Sequence, residues 1–212
     1  MESGIAPTRS NLMRLKDELG FSRLGYELLD QKRSILVSEL LTLVDQAVDY
    51  QNRVEKSLVE AESALQDAIM HMGRLRLGNL APAVGITSEL ELGRRKVMGV
   101  VLPKVHTTFS GEGPFFSPEG TSMLSEVAID RYRETLTLLG QMAELKVSIM
   151  RLSREVKKTI RKVNALEKLV IPDKEETVRY LQGRIEESER ESFILLKSVK
   201  DRMERMQEGG GF

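Results

Sequence analysis

QMAELKVSIMRLSREVKKTIRKVNALEKLV, residues 141–170, is the stretch that decides the fold. Apolar or tolerated side chains fall at Met142, Leu145, Ile149, Leu152, Val156, Thr159, Val163, Leu166 and Val170, in alternating steps of three and four. That spacing is the seam of a coiled coil, where each side chain inserts among four residues of a facing helix. The first half of the chain carries a second tract at Leu36, Leu40, Leu43, Ala47, Tyr50 and Val54. Each tract supplies the partner the other needs. The chain therefore reads as all-α: a long antiparallel two-helix coiled coil with a small irregular or β-hairpin lobe at its turn.

Working outward, residues 1–72 form the first helical segment, with Thr8 or Ser10 as N-cap. Its helix has a length on the order of 95 Å at about 1.5 Å per residue. Gly20 and Gly25 each weaken it by about 1 kcal/mol relative to alanine. Tyr50, Val54 and Leu58 step by four and four before Ala61, Leu65, Ala68 and Met72 resume the alternation, which predicts a stutter. Residues 73–121 hold half of the sixteen glycines and four of the six prolines and read as a connecting lobe. Within it, Val97–Leu102 and Val105–Phe109 are β-prone runs around Pro103-Lys104, consistent with a hairpin. A bare reversal needs only a few residues, so a lobe of this size suggests a docking surface.

The second helix runs over 122–208 and is expected to kink or break at Pro172, which lacks an N–H and clashes with the preceding turn. Its pattern resumes at Val178, Leu181 and Ile185, then at Leu195 and Val199. Residues 209–212 read as a disordered tail.

Charge and composition exclude several classes. Lys plus Arg equals Asp plus Glu at 32 each, so the overall charge offers no basic excess for nucleic acid. Cysteine is absent, and His71 and His106 are the only histidines, so neither a thiolate site nor a metal site is expected. No stretch approaches the roughly 20 apolar residues of a membrane span, and Met1–Arg14 lacks the apolar core of a signal peptide, so a cytoplasmic chain is expected. Gly111-Glu112-Gly113-Pro114 lacks a following Lys-Ser/Thr, so it reads as a turn with no nucleotide or other cofactor.

The surface candidates are few. Arg154, Lys157, Lys158, Arg161 and Lys162 share one helical face, opposite Val156, Thr159 and Val163. They read as a solvated face or as a contact for an acidic partner; with no interleaved aromatic residue, nucleic acid ranks last. Glu186, Glu187, Glu189 and Glu191 read as a solvated cluster, for want of burial that would raise a pKa. Asn164, beside the seam, points outward or fixes register across the pair. Met203 and Met206 are flexible uncharged side chains near the end of the second helix.

Two blocks carry a resemblance. Pro7-Thr8-Arg9, Asn11-Leu12, Leu15-Lys16, Leu28-Leu29 and Lys32-Arg33 look like the N-terminal helix of the D subunit of the vacuolar/archaeal-type rotary ATPases. Arg161-Lys162-Val163-Asn164-Ala165-Leu166-Glu167, with Val170-Ile171-Pro172, is similar to that family's most recognisable run. The resemblance covers about residues 7–60 and 120–205 and is weak over 73–120. It implies a non-catalytic rotor shaft with no cofactor. Its terminal ends would enter the hexamer of catalytic A and regulatory B subunits. Its other end would meet the small F subunit of the shaft and a socket subunit on the membrane ring, so the chain would be membrane-associated only through the complex. For such a shaft, hexamer or partner contacts are expected at Arg154, Lys157, Lys158, Arg161 and Lys162, and at Met203 and Met206, whose flexible uncharged side chains suit a tip turning in an apolar collar; Pro172 is expected to make the shaft eccentric or bent. The heptads are equally explained by a coiled-coil tether or adaptor with no rotary role, which would dimerise through its long helices.

Overall fold

The computed structural model describes residues 6–111, 115–117 and 121–208, except for the side chains of 206–208. The expected tail at 209–212 lies outside the described residues. The elements in order are α1 (Arg9–Met72), α2 (Arg74–Leu80), a 3-10 turn (Ala81–Ala83), β1 (Thr87–Val97), β2 (Val100–Ser110), α3 (Met123–Ala165), a π turn (Leu166–Val170) and α4 (Ile171–Glu208). The chain is thus mainly helical, with a two-stranded sheet inserted between its long helices. The contacts divide it into two compact units, one of Met1–Gln31 with Thr159–Phe212 and one of Lys32–Lys158.

In the first unit, Thr8 caps α1: its Oγ1 accepts the Asn11 N–H at 3.3 Å. The start of α1 lies antiparallel to α4. Leu15, Val178 and Leu181 form a buried cluster with Leu12 packed against it. Ion pairs flank that seam, Arg9 to Glu189 at 2.6 Å, Arg23 to Glu175 at 2.7 Å and Lys174 to Glu18 at 3.1 Å. All but Lys174 keep at least two-fifths of their side-chain surface in solvent, so the pairs align the helices more than they stabilise them.

Of the kink or break expected at Pro172, a break does not occur: helical structure continues through it. The preceding turn is instead π-helical, with the Ile171 N–H donating to the Leu166 carbonyl five residues back. The wider turn moves the preceding carbonyls away from the pyrrolidine ring, which is how a proline sits inside a helix. The turn also resets register. Heptad spacing from Val170 would place the next positions at Asp173 and Thr177, yet Val178 and Leu181 are the buried ones, at 9% and 1% exposure. One extra residue has entered, and a π turn holds one extra residue.

In the second unit, Leu36, Leu43, Val54, Leu145, Leu152 and Val156 are buried, with Leu40, Ala47, Tyr50, Met142 and Ile149 half-buried. The stutter expected at Leu58 does not occur. Leu58 is 39% exposed, and Ser57 takes the inward place, 2.8 Å from the Thr135 hydroxyl, so the alternation runs Tyr50, Val54, Ser57, Ala61. An apolar pattern hides this step because the residue that carries it is a serine.

The hairpin is real, but its turn is at Met98-Gly99, not at Pro103-Lys104. Both turn residues have positive φ, 46° and 84°, the pairing of a two-residue type I′ connection. The first β-prone run spans that turn and the second lies within β2, and Pro103 sits within that strand opposite Arg94. It is tolerated because its missing N–H faces away from the ladder. That outer edge of β2 is closed by α3: the Val105 N–H donates to Glu144 Oε2 at 2.7 Å, and Arg151 Nη1 donates to the Val101 carbonyl at 2.9 Å. Leu102 is fully buried, and Arg95 pairs with Glu39 of α1 at 2.9 Å. Glu144→Ala is expected to strand the Val105 N–H and destabilise the docked hairpin by about 1–3 kcal/mol. Hydrogen exchange at Val105 that rises with no change in α1 amides is the check.

Candidate functional site

The five cations expected to form a contact, Arg154, Lys157, Lys158, Arg161 and Lys162, are all exposed on α3. None forms an ion pair with a described residue. Behind them Val156, Thr159 and Val163 are buried, at 7%, 2% and 0% exposure. The helix period thus separates a cationic outer face from the seam. Asn164 is exposed, which favours the outward reading.

The acidic cluster is spent on solvent, on neighbouring side chains of α4 and on Arg9 of α1. Glu189 holds Arg9, Glu187 pairs with Arg184 at 3.1 Å, and Gln182 donates to Glu186 at 3.3 Å. His71 and His106 are both exposed. Among the described residues, no group of three or more His, Asp or Glu side chains is placed to hold a metal ion, and no helix is long and apolar enough to cross a membrane.

The end of α4 differs from the expectation that Leu195 and Val199 continue the seam. Residue Arg9, at the start of α1, is already paired with Glu189. Beyond that level no described helix lies beside α4. Phe193, Ile194, Leu195 and Leu196 are 71%, 66%, 67% and 68% exposed, followed by Val199 at 52% and Met203 at 64%. Four consecutive residues span more than a full turn, so this segment is apolar on every side. The Met206 side chain lies outside the described residues.

Two further features add to these. Val37, Leu41, Val44 and Val48 follow four-three-four spacing on α1 beside the main seam, and the last three are 59%, 38% and 53% exposed. Their spacing is a signal in the sequence, but the adjacent seam dominates it. In the second unit an apolar cavity of about 550 Å³ is lined by Leu65, Ile69, Leu77, Phe109, Phe116 and Ile129 among others. Arg133 closes its rim, donating to the Gly111 carbonyl and lying 6.0 Å over the Phe115 ring.

Comparison with known proteins matches these elements to one family. The ATP synthase D subunit family matches over residues 11–201. The chain is 33% identical over 208 residues to the A-type ATP synthase D subunit of Thermococcus sibiricus, covering 97% of each protein. It is 37% identical over 202 residues to that of Methanosphaera stadtmanae, covering 93% of this chain and 94% of the relative. With the D subunit of Pyrococcus furiosus it shares 33% over 203 residues, 94% and 95% of the two chains. Long helices around an inserted hairpin, without a catalytic constellation among the described residues, belong together here for a reason: the chain is a member of the ATP synthase D subunit family.

Proposed function

We propose that the chain is the central shaft of an archaeal/vacuolar-type rotary ATPase, a non-catalytic component that carries torque between the nucleotide-hydrolysing hexamer and a membrane rotor. The observation that carries this reading is the end of α4. A helical turn that is apolar on all sides, as that formed by residues 193–196 is, requires cover on all sides. A pseudo-symmetric collar of hexamer subunits supplies that cover and still permits turning, because apolar contact is non-directional. The exposed cations of α3 support a second contact with acidic loops of the hexamer, whose long-ranged attraction does not lock one register. The narrow apolar stripe at Val37, Leu41, Val44 and Val48 suits a helix of the small shaft partner. The socket subunit would take the lobe end, and the chain would meet the membrane only through the complex.

The test is size exclusion and ATPase turnover of the purified chain mixed with the catalytic hexamer and the small shaft partner. One complex with altered turnover supports the shaft. A chain that dimerises and ignores the hexamer sinks it in favour of a tether. Within the complex, Arg154→Glu with Lys157→Glu and Lys158→Glu is expected to weaken hexamer binding about tenfold or more at low salt. The gap should close as ionic strength rises, since exposed charges are screened within about 10 Å at 0.1 M. A salt-independent loss would point to damaged folding.

A further inference from the structure

The two edges of the hairpin are unequal. In a two-residue hairpin the closing pair, here Val97 and Val100, is hydrogen-bonded, and the bonding alternates from there. Lys96, Arg94, Leu92, Leu90 and Ser88 of β1 therefore point their backbone N–H and C=O away from β2. The geometry on β2 agrees, since Val101 and Val105 reach out in the same alternation and are met by Arg151 and Glu144. On β1 no described residue meets the outer edge. Every residue from Thr87 to Lys96 is exposed, including Leu90 at 59% and Leu92 at 74%. Natural edges are usually blunted by charged side chains, proline, bulges or cover; β2 has its proline and its cover, whereas β1 has only the charges of Glu89, Glu91, Arg94, Arg95 and Lys96, which oppose a like-charged strand and not one of complementary charge.

We propose that the outer edge of β1 is a strand-addition site, and that its occupant is an extended segment of a protein that turns with this chain. The proposal rests on the shaft reading. A strand bonded to five successive outward residues is held in one register, which suits a co-rotating partner and not a stationary collar. The side chains specify the segment's chemistry. Leu90 and Leu92 call for apolar residues opposite them. Arg94 and Lys96 share their face and form no ion pair with a described residue, whereas Arg95 on the other face is taken by Glu39. The incoming strand should therefore carry carboxylates beside Arg94 and Lys96.

The full chain is mixed with the small shaft partner and with the socket subunit, separately and together, and amide exchange is followed. The expected result is at least tenfold slower exchange at Leu90, Leu92 and Arg94 in the complex. Leu92→Pro, which removes an outward N–H as Pro103 does on the other strand, should weaken that complex at least tenfold. Leu92→Ser, which keeps the N–H, should weaken it less. Unchanged exchange at Gly93 and Arg95, whose amides face β2, shows that the hairpin is intact; if it loosens, the wild-type exchange pattern decides alone. A complex that forms while the edge amides exchange as in the free chain overturns the strand addition and leaves the shaft intact. Edge protection that depends on the chain's own concentration assigns the edge to a second copy and overturns the proposal. Absence of any complex overturns this proposal and the shaft reading together.

Discussion

Deleting Leu169 together with Pro172→Ala is expected to leave the chain folded and within about 1 kcal/mol of the parent, because the deleted residue is the one the π turn accommodates. With one residue fewer, Val170 and Val178 fall in phase after a plain α-helical reset, since the eight-residue gap between the seams on either side of the turn closes to seven. Leu169 is 68% exposed, so little burial is lost. The same deletion with Pro172 kept should cost about 3 kcal/mol, since the proline would then lie in an unrelieved α-turn. Pro172→Ala without the deletion should keep the π turn, because burial of Val178 and Leu181 still demands the extra residue. A deletion at Arg154, equally outside the seam, should be far worse. It rotates Val156, Thr159 and Val163 by about 100° out of the seam. Burying each valine is worth about 1.5–3 kcal/mol, so the loss is about 3–6 kcal/mol. Chemical denaturation of the four variants gives the ranking. Equal losses for the Arg154 deletion and for the Leu169 deletion combined with Pro172→Ala would refute the register account.

The π turn also marks the limit of what is legible in the sequence. The seams themselves are legible, because burial at steps of three and four leaves a direct trace: Leu36, Leu43, Leu145, Leu152 and Val163 are all inside. The register reset is present as an eight-residue gap between Val170 and Val178, but the proline beside it suggests a kink or a break and not an added residue. A proline reports only a missing N–H and a steric demand; whether the helix stops or widens depends on whether the packing beyond it needs one more residue. The hairpin turn is misplaced for a related reason. Pro103-Lys104 looks like punctuation, while Met98 is an unusual residue at positive φ. The unpaired end of α4 escapes the pattern because continued spacing says nothing about where the facing helix begins. Leu195 and Val199 keep seam-like spacing beyond the level at which Arg9 meets Glu189.

That unpaired end leads to the second large effect. Phe193→Glu with Leu196→Glu should raise the Kd of the chain for the catalytic hexamer by more than about a hundredfold. Two apolar burials worth about 1.5–3 kcal/mol each are lost, and each factor of ten is about 1.4 kcal/mol. Carboxylates forced into an apolar collar add to the penalty. The free chain should keep its Tm, because these side chains are 71% and 68% exposed. The pair Leu195→Glu and Val199→Glu lies on a different face of the same turns and separates two geometries. A helix lying in a one-sided groove would lose binding through one pair and tolerate the other. A helix enclosed by a collar must lose it through both, since as it turns each face comes to meet each collar position. Comparable loss from both pairs, with the isolated chain unaltered, is therefore the result that a turning contact requires. Sensitivity confined to one face would mean that this end of α4 docks without turning against its partner.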